Sequence, residues 1–298
     1  MSLRWRDGMS IRVERPHDGV ALVVIDSPAT VNAITQGMLV DLAAAFRSLR
    51  GDPTVRAAVI TATGRKAFST GINLGDAERV FKMDENDLDN DVVHQMESCP
   101  FPVVGAVNGV AINAGFEIAL ACDVLMCSPN ASFLDTHVKL GILPSWGLSQ
   151  KLPRAVGTGA ARVASLACRP IAAEEAFRRG LVVAVVPEKS PRDGDGDGDG
   201  GLVPGDGGLV PGDGDFVPGD GNTPALLAEA LRLAREMAAL PASGVRGYKR
   251  LATDGAGMRF ADARAEERRR AFAQYRALPE SFFAKMRAVA GLKPRARM

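Results

Sequence analysis

The sequence predicts an α/β protein with strands covered on both faces, and three observations carry that expectation. Val20–Ile25 (VALVVI), 57–61 (AAVIT) and Val103–Val107 are short, β-branched and apolar throughout, as strands buried on both sides are. Between the first two, Met38, Leu39, Leu42, Ala45, Phe46 and Leu49 fall on one stripe at helical spacing within 35–50, and Thr35 is placed to cap that helix. The strand, helix, strand order then repeats through 118–121 and into 181–186, the pattern of layered sheets joined by crossovers.

The 298 residues suffice for one large domain with a tail or insertion, or for two domains of ordinary size. Apolar residues make up 46% and charged residues 24%, the balance of a chain that folds around a core. A net charge of +1 provides no global field for nucleic acid or an anionic membrane, so neither is expected as a partner. Cys99, Cys122, Cys127 and Cys168 show no CxxC spacing and only three histidines are present, which argues against a disulfide framework or a zinc site. The first fifteen residues lack an apolar run and the last six, KPRARM, are not a peroxisomal signal, so a cytoplasmic protein is expected. Residues 103–121 have the length of a membrane span, but Asn108, Asn113 and Glu117 interrupt them, and a buried strand followed by a helix is expected instead.

Residues 191–222 depart from this pattern. Alternating Asp-Gly gives way to GLVPGDG twice and DFVPGDG once, a composition that cannot form a core, and a disordered insertion is expected there. The Asp-Gly run lacks the spacing and terminal Glu of a calcium loop. It separates a core expected over 1–190 from a helical C-terminal region expected over 223–298, beginning with a helix at 224–240. The formal charges of 1–192, 193–222 and 223–298 are 0, −8 and +9, and the arginines of 264–270 alternate with Glu266 and Glu267 as on a solvated helix face.

Chemistry is concentrated in VVGAVNGVAINAGFEIALACD at 103–123. Glu117 is a lone carboxylate in an apolar helix start, and such a group must be protonated, paired or used. The turn Asn113-Ala114-Gly115 precedes it, and first-turn N–H groups lack intrahelical acceptors. Small side chains at 114 and 115 let a carbonyl approach these amides, although tight helix-on-strand packing accounts for the same residues. A second backbone donor is expected from FSTGINL at 68–74, a glycine-containing strand exit after the turn TGRKA.

Together these stretches resemble the enoyl-CoA hydratase/isomerase (crotonase) superfamily. The likeness runs in order through Asn32-Ala33-Ile34, DPTVRAAVITATGRKAFSTGINL (52–74), FPVVGAVNGVAINAGFEIALACD (101–123), ASFLDTHVKLGILPSWGLSQKLPRAVG (131–157) and GLVVAVVP (180–187). It implies a spiral of stacked ββα turns, a helical C-terminal trimerisation region, homotrimers or dimers of trimers, and an acyl-CoA thioester as substrate. No metal or separate cofactor is implied, since coenzyme A is part of the substrate. Carried over by position, the oxyanion hole falls on the backbone N–H groups of Ile72 and Ala114, the latter where most members have glycine. Glu117 falls on the first catalytic glutamate, and His137 stands where the second is usual. Val31, Ala33, Ser69, Gly71, Ile72, Asn73, Leu74, Val110, Ala114, Glu117, Thr136 and His137 are the implied substrate contacts, with Lys66 or the basic tail near the CoA phosphates.

Histidine in place of glutamate leaves three chemical outcomes: a hydratase with a Glu/His pair acting on 2-trans-enoyl-CoA, a Δ3,Δ2-enoyl-CoA isomerase using Glu117 alone, or a related reaction such as thioester hydrolysis. The first is expected. Asp135, two residues before His137, is expected to point away from it and so to be a poor stand-in for the missing carboxylate. By the same resemblance, Trp146 falls in the loop expected to border the acyl pocket, where hydratases usually have a small residue. A non-catalytic CoA- or RNA-binding scaffold is the alternative from another class, but helix 35–50 has only Arg47 and Arg50 as cations and no basic stripe.

Overall fold

The apolar runs become a parallel sheet sandwiched between helices. The computed structural model describes residues 10–187 and 224–289; the insertion expected at 191–222 lies outside the described residues. Two compact units divide between Val245 and Arg246.

The first unit opens with the antiparallel pair β1 (Ile11–His17) and β2 (Val20–Ile25). Helix α1 (Gln36–Gly51) follows, with the Met38 N–H donating to Thr35 Oγ1 at 3.2 Å, the expected cap, and all six stripe residues buried. Next come β3 (Ala57–Ala62), β4 (Ala67–Ser69), α2 (Ala77–Phe81) and α3 (Val92–Glu97), then β5 (Val103–Val107), β6 (Val110–Ile112) and α4 (Ala114–Leu120). The third turn runs through β7 (Val124–Cys127), β8 (Ser132–Leu134) and α5 (His137–Leu140), followed by α6 (Leu148–Val156), α7 (Thr158–Leu166), β9 (Ile171–Ala172), α8 (Ala173–Arg179), β10 (Ala184–Val185) and α9 (Pro224–Ala239).

Each turn contributes one strand to each of two sheets. The larger has the order β1-β2-β3-β5-β7-β10 and the smaller β4-β6-β8-β9. Strands β3, β5 and β7 are parallel neighbours in the first, and β4, β6 and β8 in the second, so consecutive ββα turns stack into a spiral. Buried asparagines close the corners. Asn32 Nδ2 donates to the carbonyls of Thr63 and Ala67 at 2.9 and 2.8 Å, and Asn108 Nδ2 donates to that of Ala62 at 2.9 Å. Asn108 therefore interrupts the apolar stretch to satisfy buried backbone carbonyls at a turn.

Both faces of the larger sheet are covered, which explains its uninterrupted apolar strands. One face, with Ala21, Val23, Ala58 and Ile60, packs with α1, Phe68 and Phe116; the other, with Leu22, Val24, Val59 and Val104, packs against Leu226, Leu227, Ala230 and Ala234 of α9. Helix α9, expected in a separate C-terminal region, is therefore part of the core, because its alanine-rich stripe lies flat on the strands. The strand expected over 181–186 is reduced to two residues. Cys127 sits in this core, its thiol pushed up to about 12 chiefly by burial, and it remains an inert neutral group.

After α10 (Ala242–Gly255), the second unit continues through α11 (Phe260–Arg276) and α12 (Glu280–Val289). Part of the basic face is paired: Glu266 with Arg269 and Arg270, and Arg270 also with Asp254 at 2.6 Å. Neither α10 nor α11 buries any residue, and Tyr248, Phe260, Phe272 and Tyr275 are exposed.

Candidate active site

Two backbone segments from successive turns meet at the exits of β4 and β6. Gly71 has φ +89°, which glycine adopts without steric cost, and a Cβ there would sit 3.0 Å from the Ile112 carbonyl oxygen and 3.7 Å from the Ala114 nitrogen. The 71–72 backbone thus lies against the start of α4. Ile34 N–H donates to the Gly71 carbonyl and Asn73 N–H to the Ile34 carbonyl, both at 2.8 Å. This is a one-residue parallel bridge between Ile34 and Ile72. Ile34 bonds through its own N–H and carbonyl to the residues flanking Ile72, so the Ile72 N–H faces away from Ile34. Ala114 is the first residue of α4, where an N–H has no intrahelical acceptor. Asn113 before it has φ 48° and ψ −113°, a strained conformation for a non-glycine residue.

Glu117, one turn into α4, is only 2% exposed. Its Oε1 accepts from the Trp146 N–H at 2.7 Å and the Leu148 N–H at 3.4 Å, while Oε2 lies 3.9 Å from His137 Nε2. Burial pushes the carboxyl above its ordinary range, opposed by the Trp146 amide, His137, the Leu148 amide and the Lys151 ammonium. Lys151 donates to the Trp146 carbonyl at 3.2 Å and pairs with Glu97 at 2.5 Å, so the loop carrying the Trp146 amide is anchored.

His137 opens α5 and is also buried. Chain direction changes at Thr136 (φ −118°, ψ 14°), and Asp135 does not point away from His137. Instead, Asp135 Oδ1 lies 2.7 Å from His137 Nδ1 and accepts the His137 N–H at 3.1 Å. The expectation that Asp135 faces the opposite side is corrected by this contact; positions two apart share a face even in an extended strand. Thr136 is tied to the turn before α4: its N–H donates to Asn113 Oδ1 at 2.6 Å, and Asn113 Nδ2 donates to Thr136 Oγ1 at 2.9 Å.

Other expected contact residues fall into distinct settings. Ser69 is fully buried and its hydroxyl accepts the Gly71 N–H at 3.2 Å, so it supports the loop from behind. A Cβ on Gly115 would meet the Ser69 carbonyl oxygen at 2.5 Å, so this glycine serves close packing of α4 on β4. Thr70 Oγ1 donates to the Val31 carbonyl at 3.3 Å, joining the loops of Val31 and Ala33 to the donor loop. Leu74 is exposed, Asn73 Oδ1 accepts the Gly75 N–H at 2.9 Å, and the Val110 N–H donates to the carbonyl of Lys66 at 3.1 Å. The Trp146 and Leu148 amides, which grip Glu117, carried no side-chain signal that sequence reasoning could use.

A family model described as enoyl-CoA hydratase/isomerase matches residues 15–193. The chain belongs to this enoyl-CoA hydratase/isomerase family. Over 178 residues it is 47% identical to a protein of Arabidopsis thaliana named probable enoyl-CoA hydratase 1, peroxisomal, covering 60% of this chain and 67% of that one. It is 36% identical over 170 residues to a crotonyl-CoA hydratase of Syntrophomonas wolfei, covering 56% and 65%. The matched stretch thus spans about two thirds of these relatives, slightly less for the second. Among solved structures, an enoyl-CoA hydratase from Bacillus anthracis superposes with TM-score 0.74 at 22% identity, covering 96% of this chain and 98% of that one, a likeness of fold. A monofunctional enoyl CoA isomerase from M. smegmatis superposes with TM-score 0.64 at 28% identity, covering 85% and 97%. The ββα spiral is therefore the crotonase fold.

The raised affinity of Glu117 for its proton has a consequence for stability. The folded chain binds this proton more tightly than the unfolded chain, so folding stability falls as pH rises from the ordinary carboxyl value of 4.5 through the raised folded value. Glu117→Gln keeps an acceptor for the Trp146 amide and removes the penalty. Its thermal midpoint at about pH 7 is expected above that of wild type, with the gap closing toward about pH 4. A lower midpoint for the variant at neutral pH would show that the ionised carboxylate is fully compensated.

Proposed function

We propose that this chain is an enoyl-CoA hydratase that adds water across the double bond of a 2-trans-enoyl-CoA. The carrying observation is the placement of Glu117 and His137, 3.9 Å apart, beside the α4 start and the 71–72 backbone. In this reading the Ile72 and Ala114 amides receive the thioester oxygen and stabilise the enolate that forms when water attacks Cβ. Each such donor is worth about 3 kcal/mol in other oxyanion holes. Glu117 and His137 hold the water, one accepting its proton while the other delivers a proton to Cα. Burial favours the protonated form of Glu117, which keeps a transferable proton in the pair.

Coenzyme A enters as part of the substrate, and no separate cofactor is required. A cytoplasmic setting is retained as part of the proposal; no helix among the described residues is long and apolar enough to cross a membrane. The exposed aromatics of α10 to α12, on helices with little buried surface of their own, support a homotrimer in which this unit meets neighbouring copies.

Purified protein is expected to hydrate crotonyl-CoA, with Glu117→Gln losing at least about 10²-fold in kcat; a fully active variant contradicts the assignment. A 3-enoyl-CoA assayed in parallel separates the isomerase: His137→Ala should cripple hydration, whereas an isomerase using Glu117 alone would retain its rate. Light scattering should give three times the chain mass of 31.4 kDa, or six for a dimer of trimers, and a monomer would remove the proposed assembly.

A further inference from the structure

We propose that Asp135 is a positioning residue that fixes His137 as the Nδ1–H tautomer and presents its bare Nε2 to the water shared with Glu117. This rests on the hydratase reading for the identity of the water, but the tautomer follows from the hydrogen bonds themselves. Asp135 Oδ1 meets the ring Nδ1 at 2.7 Å and the backbone N–H of the same histidine at 3.1 Å, so one oxygen fixes both ends of the residue. The Ser165 hydroxyl on α7 also donates to this carboxyl. Burial alone would push the Asp135 carboxyl up, yet the bonds from the His137 ring, Ser165 and the His137 amide hold it below its ordinary range. An ionised carboxylate only accepts hydrogen bonds, so the proton between the two groups belongs to Nδ1.

The geometry on the other side of the ring completes the arrangement. With Nδ1 committed to Asp135, Nε2 is left with its lone pair toward Glu117 Oε2 at 3.9 Å. That separation is too long for a direct hydrogen bond, and one water can bridge it. Both partners are almost fully enclosed, Asp135 at 3% and His137 at 7% exposure, so bulk water does not compete for Nδ1. The same carboxylate would stabilise the imidazolium formed when Nε2 takes the proton of the attacking water, and with Glu117 giving its proton to Cα the proton count of the Glu117–His137 pair is unchanged.

Nitrogen-15 NMR reads the tautomer without turnover, and the three histidines of the chain make assignment against His137→Ala direct. At about pH 9, where ordinary imidazole is neutral, wild type should show a protonated Nδ1 and a bare Nε2. Asp135→Ala should shift this toward a mixture, with kcat down about 10- to 100-fold and KM little changed, as for other residues that orient a functional histidine. Asp135→Asn serves if the alanine variant does not fold. In a double-mutant cycle, removing Asp135 in the His137→Ala background should cost less than about 2-fold, because its effect passes through the ring. A proton on Nε2 in wild type, or losses that multiply in the double variant, overturns the proposal. A protonated Nδ1 in a protein that hydrates no enoyl-CoA supports the role of Asp135 and removes the hydratase reading alone.

Discussion

The site depends on one constraint: a carboxyl group is kept away from water at the start of a helix in the core. Leaving Glu117 ionised and unpartnered there would cost several kcal/mol, and the chain meets that demand locally. One carboxyl oxygen takes two backbone amides from the loop at 146–148; the other faces an imidazole. The first contact fixes the direction of the group and the second leaves it a partner for proton exchange. A carboxyl held in this manner is fixed at one oxygen and free of backbone partners at the other.

The spiral brings the remaining parts to that carboxyl without long-range rearrangement. Because β4, β6 and β8 are adjacent and parallel, the loops leaving them emerge side by side, and they carry Ile72, Ala114 and His137 respectively. Tight joints hold the loops in register. Gly115 admits the Ser69 carbonyl to a distance no side chain would allow, and Asn113 ties the start of α4 to Thr136, next to His137. The strained backbone at Asn113 is sustained by those side-chain bonds. Fold stability and the geometry of the candidate site are thus served by the same residues.

Much of this was readable from sequence, for identifiable reasons. Strands β2, β3 and β5 of the larger sheet and helix α1 announce themselves because burial on both faces, or on one stripe, dictates residue type over five or more positions, whereas β1 and β7 carry no such run. Glu117 stands out because a charge among apolar residues is costly. The smaller sheet does not announce itself: strands of two or three residues are too short to show a period. The amides of Trp146 and Leu148 leave no trace because any residue except proline supplies one. The contact between Asp135 and His137 was legible in their spacing, since positions two apart share a face in a strand, and the turn at Thr136 keeps them together. Helix α9 was assigned outside the core because 191–222 separate it in the chain from the strands it covers.

The central claim is that the amides of Ile72 and Ala114 converge on a thioester oxygen next to Glu117. A crystal structure with a bound acyl-CoA analogue tests it most directly. The thioester oxygen should lie within about 2.7–3.1 Å of both amide nitrogens, with the acyl Cα next to Glu117 Oε2. An oxygen reached by only one of the two amides, or an acyl chain leading away from Glu117, would contradict the account.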